Sequence, residues 1–302
     1  MTAALPAPVE VTARAPAKVN VHLGVGPLRE DGFHELRTVY LAVSLFDTVG
    51  ARPGEGLSLT VRGEGAGPGQ DSVPTDSDNL VWRAAELLAR SAGVPADAEI
   101  AIDKAIPAAA GLAGGSADAA AALVALDALW GTRAAREDLV ELAAHLGSDV
   151  PFSLTGGVAL GSGRGERVSP VLSRGQTHWV LGMARIGLST PAVYAELDRL
   201  REHEAVPAPG LPAGLERTLA TGTAAELAPL LRNDLQPAAL SLAPELEDVL
   251  AAGRAAGALT SFVSGSGPTT AHLVADAAAA QELAARFTGR GLAALAVTAP
   301  PA

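Results

Sequence analysis

Apolar positions alternate with period two along the first part of the chain. From Lys18 to Val25 (KVNVHLGV), Val19, Val21, Leu23 and Val25 share one face and Asn20, His22 and Gly24 the other, as in a half-buried strand. Shorter runs predict strands over Val9–Arg14, Leu36–Phe46 and Leu57–Val61; Ala15-Pro16-Ala17 interrupts the opening pair, and Gly65–Asp76 reads as a Gly-, Pro- and Asp-rich loop. The period then changes. Leu80, Val81, Ala84, Leu87 and Leu88 recur at helical spacing as far as Arg90, behind Asp78-Asn79 as a helix start. Ala98 to Ile106 alternates as a strand and stops at Pro107, and an alanine-rich run then continues without a breaker to Gly131. A helix over Arg133–Leu146, a loop over Gly147–Phe152, and strands over Gly157–Gly161 and Glu166–Leu172 complete this half. The polar stretch Ser173–Gln176 separates two domains, 1–175 and 176–302.

In the second domain the pattern predicts a strand over His178–Ile186 and a helix over Thr190–Arg201 capped by Thr190. Val206–Pro212 reads as a Pro-rich linker, followed by helices over Ala224–Leu231, Leu235–Leu242 and Pro244–Ala255. Strands over Leu259–Val263 and Thr270–Val274, a helix over Ala277–Phe287 and a strand over Leu292–Val297 close the chain. This order points to α+β architecture, with an antiparallel sheet covered on one face.

Composition narrows the class. With 302 residues, 48% hydrophobic and 18% charged, the chain is long and apolar enough for two globular cores. It has no apolar run of membrane-spanning length and no signal-peptide pattern at its start, so a soluble, cytoplasmic protein is expected. The absence of cysteine excludes disulfides, thiol nucleophiles and Cys-ligated zinc, and the six histidines show no metal-ligand spacing. A net charge of −11 argues against nucleic acid as a partner. Among 22 Lys and Arg residues only Lys18 and Lys104 are lysines, and both stand beside the most motif-like stretches.

The chemistry concentrates in Lys104–Trp130. Strand, Pro107-Ala108-Ala109-Ala110-Gly111-Leu112-Ala113-Gly114-Gly115-Ser116-Ala117 and helix follow one another. The first turn of a helix has unpaired N–H groups and a partial positive charge, and glycines allow an anion to approach it. This is a phosphate cradle, although no GK[ST] follows the glycines and no GxGxxG spacing occurs. The Ser116 hydroxyl is a candidate contact for a phosphate or its cation. The Lys104 ammonium either joins those phosphates or lies solvated at a strand end. Asp149, between Gly147-Ser148 and Val150-Pro151, is a candidate to orient or deprotonate an attacking hydroxyl, with Lys18 to favour its ionised form. Asn20 and His22 either line a site or face solvent. Phe33-His34 offers a stacking ring and a heterocycle hydrogen bond, or a turn anchor. Gly265, Ser266 and Gly267 form a second small-residue loop, either a tight hairpin connection or a further phosphate contact.

PAAAGLAGGSADAA resembles the P-x-x-x-G-L-G-G-G-S-S-D-A-A signature of the GHMP kinase superfamily. Ala113 and Ala117 stand where Gly and a second Ser are usual; Ala113 calls for a negative φ there, and Ala117 removes a hydroxyl. The resemblance runs in order through APAKVN, EDGFHEL, SDNLV, LGSDVPF and RNDLQP. Together these are similar to the branch that phosphorylates the 2-hydroxyl of a cytidine diphosphate-linked methylerythritol in non-mevalonate isoprenoid synthesis. The resemblance implies a two-domain GHMP kinase fold. Its N-terminal half is like ribosomal protein S5 domain 2, its C-terminal half is ferredoxin-like, and the active site lies in the cleft between them. It further implies Lys18 and Asp149 as catalytic residues, Asn20 as a substrate contact, and Phe33 and His34 against the cytosine, with Phe33 lacking the family's phenolic hydroxyl. The glycine loop would hold ATP, and Asn79 would belong to the adenine environment. Mg²⁺ would be held largely by phosphates and water. The implied partner is a small molecule, a cytidine diphosphate derivative, with no membrane or nucleic acid, and the protein would be a monomer or homodimer. Two other readings stand beside this one: a GHMP kinase for homoserine or mevalonate, and a non-catalytic GHMP-fold protein that binds ATP or a sugar.

Overall fold

A computed structural model describes residues 10–66, 73–184, 186–203 and 205–301; Val9, 67–72 and Arg185, parts of the predicted strands and loop, lie outside the described residues. The chain forms two compact units, neither continuous in sequence. The first takes the described residues of Met1–Ala15, Phe46–Ala108 and Gly114–Leu154, and the second those of Pro16–Leu45, Ala109–Ala113 and Thr155–Ala302. The interleaving follows from two long strands, β1 (Val11–Leu28) and β2 (His34–Arg52), each of which has residues in both units. The predicted break at Ala15-Pro16-Ala17 is absent. Residues 15–26 are all buried, so the polar face of β1 is as enclosed as its apolar face. Such a strand needs a buried partner for each polar side chain.

In the first unit, β3 (Leu57–Arg62) pairs in parallel with β4 (Ala98–Asp103), from Leu57↔Ala98 to Arg62↔Asp103. β4 also pairs antiparallel with the end of β2, from Thr48↔Asp103 to Arg52↔Glu99. Its alternation is realised, with Ala98, Ile100 and Ile102 buried. Helix α1 (Leu80–Ala92) packs on α2 (Gly114–Trp130), and α3 (Arg136–Leu146) contacts both. Asn79 caps α1 by accepting a hydrogen bond from the Val81 amide, and Gly93 ends it at φ 67°. The alanines of α2 are the means of close approach: Ala117, Ala119–Ala122 and Ala125 are buried without bulk. The predicted loop over Gly147–Phe152 becomes in part a short helix, α4 (Val150–Thr155). Pro151 at its second position, where no intrahelical N–H bond is required, suits it.

In the second unit the start of β2 pairs antiparallel with β5 (Val158–Gly163), which pairs with β6 (Arg167–Pro170); β1 runs parallel to the two-residue β8 (Arg232–Asn233). A second sheet is antiparallel throughout. Its order is β11 (Ala293–Ala299), β7 (Thr177–Met183), β10 (Thr269–Val274), β9 (Thr260–Val263). The helices are α5 (Thr190–Leu200), α6 (Leu215–Thr221), α7 (Ala224–Leu227), α8 (Gln236–Leu242), α9 (Glu245–Ala255) and α10 (Ala277–Thr288). α9 and α10 pack on this sheet, where Leu283 and Phe287 join Val180 and Val274, as the antiparallel reading expected. Three local expectations need correction. α6 was not predicted. α7 stops at Leu227, where Pro229 turns the chain into a 3-10 segment, Ala228–Leu230. Thr190 is the first residue of α5 rather than its cap; Ser189 holds the cap position.

A buried polar cluster links α9 to this sheet. His272 on β10 is fully buried, with Nε2 2.9 Å from Thr270 Oγ1 and Nδ1 2.8 Å from Ser261 Oγ. Thr270 donates its proton to the Gly182 carbonyl at 3.2 Å. It therefore accepts from Nε2–H, and the Ser261 hydroxyl donates to Nδ1. The imidazole is neutral and fully partnered. Gly253 on α9 is required beside it, since a Cβ there would lie 2.1 Å from Nδ1. Burial pushes the His272 pKa down to about 3. The unfolded chain therefore takes up a proton near pH 6.5 that the folded protein refuses until about pH 3. The stability contribution is complete above pH 6.5 and is lost as pH falls through that window. Urea unfolding is expected to lose about 1.4 kcal/mol per pH unit there from this residue, a slope absent in His272→Gln.

Candidate active site

The second unit assembles the residues around Lys18. Lys18 and Asn20 are neighbours on one face of β1 and are buried; Lys18 Nζ donates to Asn20 Oδ1 at 2.7 Å and stands 5.6 Å from the centre of the Tyr40 ring. The Ser264–Gly267 loop meets them. Ser264 Oγ accepts from the Asn20 amide at 3.3 Å. Gly265, at φ 56°, comes so close that a Cβ would lie 3.0 Å from Asn20 Oδ1 and 3.8 Å from Lys18 Nζ. Asn233 holds that loop from behind, its Nδ2 donating to the carbonyls of Val263 (2.6 Å) and Gly265 (2.7 Å). Ser266 Oγ is 2.8 Å from Thr190 Oγ1, which explains why Thr190 is not a cap. His22, further along β1, is buried and does not face solvent. Its Nε2–H donates to the Gly210 carbonyl at 3.0 Å, and burial lowers its pKa.

Ala109–Ala113 belongs to this cluster. The Lys18 amide donates to the Leu112 carbonyl (3.2 Å) and Thr269 Oγ1 to the Ala110 carbonyl (2.6 Å), and a Cβ on Gly111 would collide with the Gly267 carbonyl at 2.3 Å. The loop thus lies against Ser264–Thr269 by backbone contact. It bends through the left-handed region three times, at Ala109 (φ 58°), Gly111 (76°) and Ala113 (59°). The negative φ expected at Ala113 is therefore corrected. Each alanine held there costs about 1 kcal/mol or more, which the loop's tight reversal imposes.

In the first unit Gly114, Gly115, Ser116 and Ala117 form the first turn of α2, with Pro107 and Ala108 before the bend. Ala108 is tied to the Gly65 carbonyl at 2.8 Å. Gly115 is open: a Cβ there would meet nothing nearer than Leu80 Cδ1 at 3.9 Å. Unpaired amides at an uncovered glycine suit a phosphate group. Asn79 is occupied in capping α1, its Nδ2 donating to the Pro74 carbonyl at 2.6 Å. Asp149 immediately precedes α4, and its carbonyl accepts from the Ser153 amide and hydroxyl.

Lys104 is not solvated at a strand end. Its ammonium is buried, 2.7 Å from Asp47 Oδ2 and 2.6 Å from Asp118 Oδ2. Asp47 Oδ1 accepts from the Ala105 and Ile106 amides at 2.7 and 2.8 Å. Three residues thereby pin the end of β4 to the start of α2, between which the loop must run. Burial alone would lower the Lys104 pKa, but Asp118 and Asp47 outweigh it and hold the ammonium above its ordinary value. Burial pushes the Asp118 carboxyl well above the usual range; Lys104 opposes that rise and Asp47 adds to it. The role of Asp47 and Asp118 escaped sequence reading, because nothing local marks which acids answer a lysine 57 and 14 residues away.

The Phe33-His34 turn completes the second unit's features. The Phe33 ring is 46% exposed, with the Arg164 guanidinium 5.2 Å over it. His34 is buried, its Nδ1–H donating to the Gly26 carbonyl at 3.0 Å and its ring stacked on Tyr194 at 5.2 Å. Tyr40 and Tyr194 were both missed, although a signal existed: they are the chain's two tyrosines. Among the described residues no cluster of three or more His, Cys, Asp or Glu could hold a metal ion, and no helix is long and apolar enough to cross a membrane.

Comparison with known proteins agrees with this architecture. Residues 79–157 match the model of the GHMP kinases N terminal domain, and residues 215–292 that of the GHMP kinases C terminal domain. The chain is 60% identical to the 4-diphosphocytidyl-2-C-methyl-D-erythritol kinase of Rhodococcus jostii (strain RHA1), over 97% of this chain and 92% of that one. It is 58% identical to the same enzyme of Nocardia farcinica (strain IFM 10152), over 97% and 94%. A crystal structure of 4-(cytidine 5'-diphospho)-2C-methyl-D-erythritol kinase superposes with a TM-score of 0.79 at 35% identity, covering 96% of this chain and all of that one. L. major mevalonate kinase, in complex with R-mevalonate, shares the fold at a TM-score of 0.78 and 16% identity.

The lysine with its two carboxylates yields a stability test. Lys104→Met leaves two carboxylates buried without a cation and is expected to cost about 3–5 kcal/mol in urea unfolding. Asp118→Asn keeps one ammonium against one carboxylate and is expected to cost about 1 kcal/mol or less. Equal losses would show that the cluster does not act as an ionic unit.

Proposed function

We infer the reaction from one fact: this chain belongs to the 4-diphosphocytidyl-2-C-methyl-D-erythritol kinase family of GHMP kinases. It is an ATP-dependent small-molecule kinase. Its reaction transfers the γ-phosphoryl group of ATP to the 2-hydroxyl of 4-diphosphocytidyl-2-C-methyl-D-erythritol, giving the 2-phosphate and ADP, a step of non-mevalonate isoprenoid precursor synthesis. The observation that carries the reading is near-full-length identity of 60%, together with a buried lysine held beside a small-residue loop.

Phosphoryl transfer asks a protein for positioning and charge stabilisation more than for covalent chemistry. The amides of Gly114, Gly115, Ser116 and Ala117 hold phosphate oxygens at the start of α2. Asp149 orients the acceptor hydroxyl and takes its proton. Lys18 offsets charge on the transferred group, and Asn20 fixes Lys18 and contacts the acceptor. Phe33 stacks on the cytosine with its exposed ring, and His34 contacts the same base. Mg²⁺ would supply further charge neutralisation, and would be held largely by phosphates and water, with the Ser116 hydroxyl as the protein contact. Lys104 acts on ATP through the loop it anchors. The division at 175/176 goes with this reading, since it lies between the matched segments that end at 157 and begin at 215.

A coupled ADP-release assay with ATP and Mg²⁺ is expected to show turnover of the cytidine diphosphate substrate and none of homoserine or mevalonate. The reverse result would overturn the assignment. Asp149→Asn is expected to lower kcat by about 10²–10⁴-fold with ATP affinity little changed. Unchanged turnover would remove Asp149 from the mechanism.

A further inference from the structure

Thr38 on β2 is fully buried and lies on a directed chain of hydrogen bonds that runs from Lys18 to the His22 carbonyl. Each direction is fixed by chemistry. Thr38 Oγ1 is 2.7 Å from the His22 carbonyl, which can only accept, so the hydroxyl proton points there. The same oxygen lies 2.9 Å from Asn20 Nδ2 and must accept from it. That settles the orientation of the Asn20 amide: Nδ2 faces Thr38, and Oδ1 faces Lys18 Nζ at 2.7 Å, a group that can only donate. With Thr38 enclosed, solvent does not replace its hydroxyl.

The arrangement has one orientation in which it works. Turned over, the Asn20 amide would set its NH₂ against the Lys18 ammonium, donor against donor, and its carbonyl against Thr38. We propose that Thr38 is a positioning residue for Lys18: by accepting from Asn20 while donating to the His22 carbonyl, it locks the amide whose oxygen holds the ammonium. This rests on the reading of Lys18 as the group that offsets charge on the transferred phosphoryl. Thr38 itself touches no reacting atom.

Thr38→Val keeps the shape and removes the hydroxyl; Thr38→Ser keeps the hydroxyl. Thr38→Val is expected to lower kcat by about tenfold or more, the scale of a misplaced catalytic group, with KM for ATP within about twofold. Thr38→Ser restores kcat. The chain has only two lysines, so lysine-labelled protein gives two side-chain NMR signals, one from Lys18 and one from Lys104. The Lys18 signal is expected to move in Thr38→Val and stay in place in Thr38→Ser, with Lys104 unmoved in both. Wild-type kcat in Thr38→Val with an unmoved Lys18 signal overturns the proposal, as does a Thr38→Ser variant as impaired as Thr38→Val. If Thr38→Val does not fold, Thr38→Ala is read by the same two measurements. Lys18→Met, assayed in parallel, separates the two claims. Full turnover there removes the catalytic role of Lys18, while the Lys18 NMR signal still decides whether Thr38 positions it.

Discussion

Burying an ammonium group is the constraint around which both units of this protein are built. The chain has two lysines and encloses both. A charge taken out of water is tolerated only where fixed oxygens replace the water it has lost. Lys104 is answered by two carboxylates, Asp47 and Asp118, and the same Asp47 receives the amides of Ala105 and Ile106. Beside the Lys18 ammonium stand the Asn20 amide oxygen and the face of the Tyr40 ring. The first arrangement is ionic, suited to holding a strand end against a helix start. The second sets the ammonium of Lys18 against the amide oxygen of Asn20, beside the Ser264–Gly267 loop.

The glycine-rich segment acquires its shape from close backbone packing. Gly111 is pressed against the Gly267 carbonyl at a separation that excludes a side chain, and Gly265 comes close to Asn20 at positive φ. Ala109 and Ala113 adopt left-handed conformations that alanine disfavours. Strain of this kind persists only where surrounding contacts outweigh it, and the Thr269–Ala110 and Lys18–Leu112 hydrogen bonds supply such contacts. The C-terminal sheet shows the same economy of space. Gly253 lets α9 approach the neutral His272, whose two nitrogens are matched to Ser261 and Thr270.

Much of this was legible in the chain. Period-two runs located the strands that carry Lys18 and Tyr40, and helical spacing located α1, α9 and α10, because burial of one face leaves its mark on local sequence. The order PAK, GLAGGS, SDVP carried the family, and near-full-length identity supports it. Short elements were less legible. α6 has seven residues and α4 six, too few for a period to emerge, and Pro16 reads as a breaker although β1 passes straight through it.

The sequence by itself determined the alternation of strands and helices, the glycine-rich loop before α2, the absence of thiol chemistry and the family to which the chain belongs. These are properties of neighbours along the chain, and periodicity and motif spacing record them directly. Tertiary structure alone decided what each polar residue does. It put Lys104 between Asp47 and Asp118. It set Ala113 at positive φ, moved Thr190 from cap to partner of Ser266, and enlisted Thr38, Asn233 and Tyr40 around Lys18. The physical reason is that a buried polar group is satisfied by whatever the fold brings within about 3 Å, and that partner can lie anywhere in the sequence.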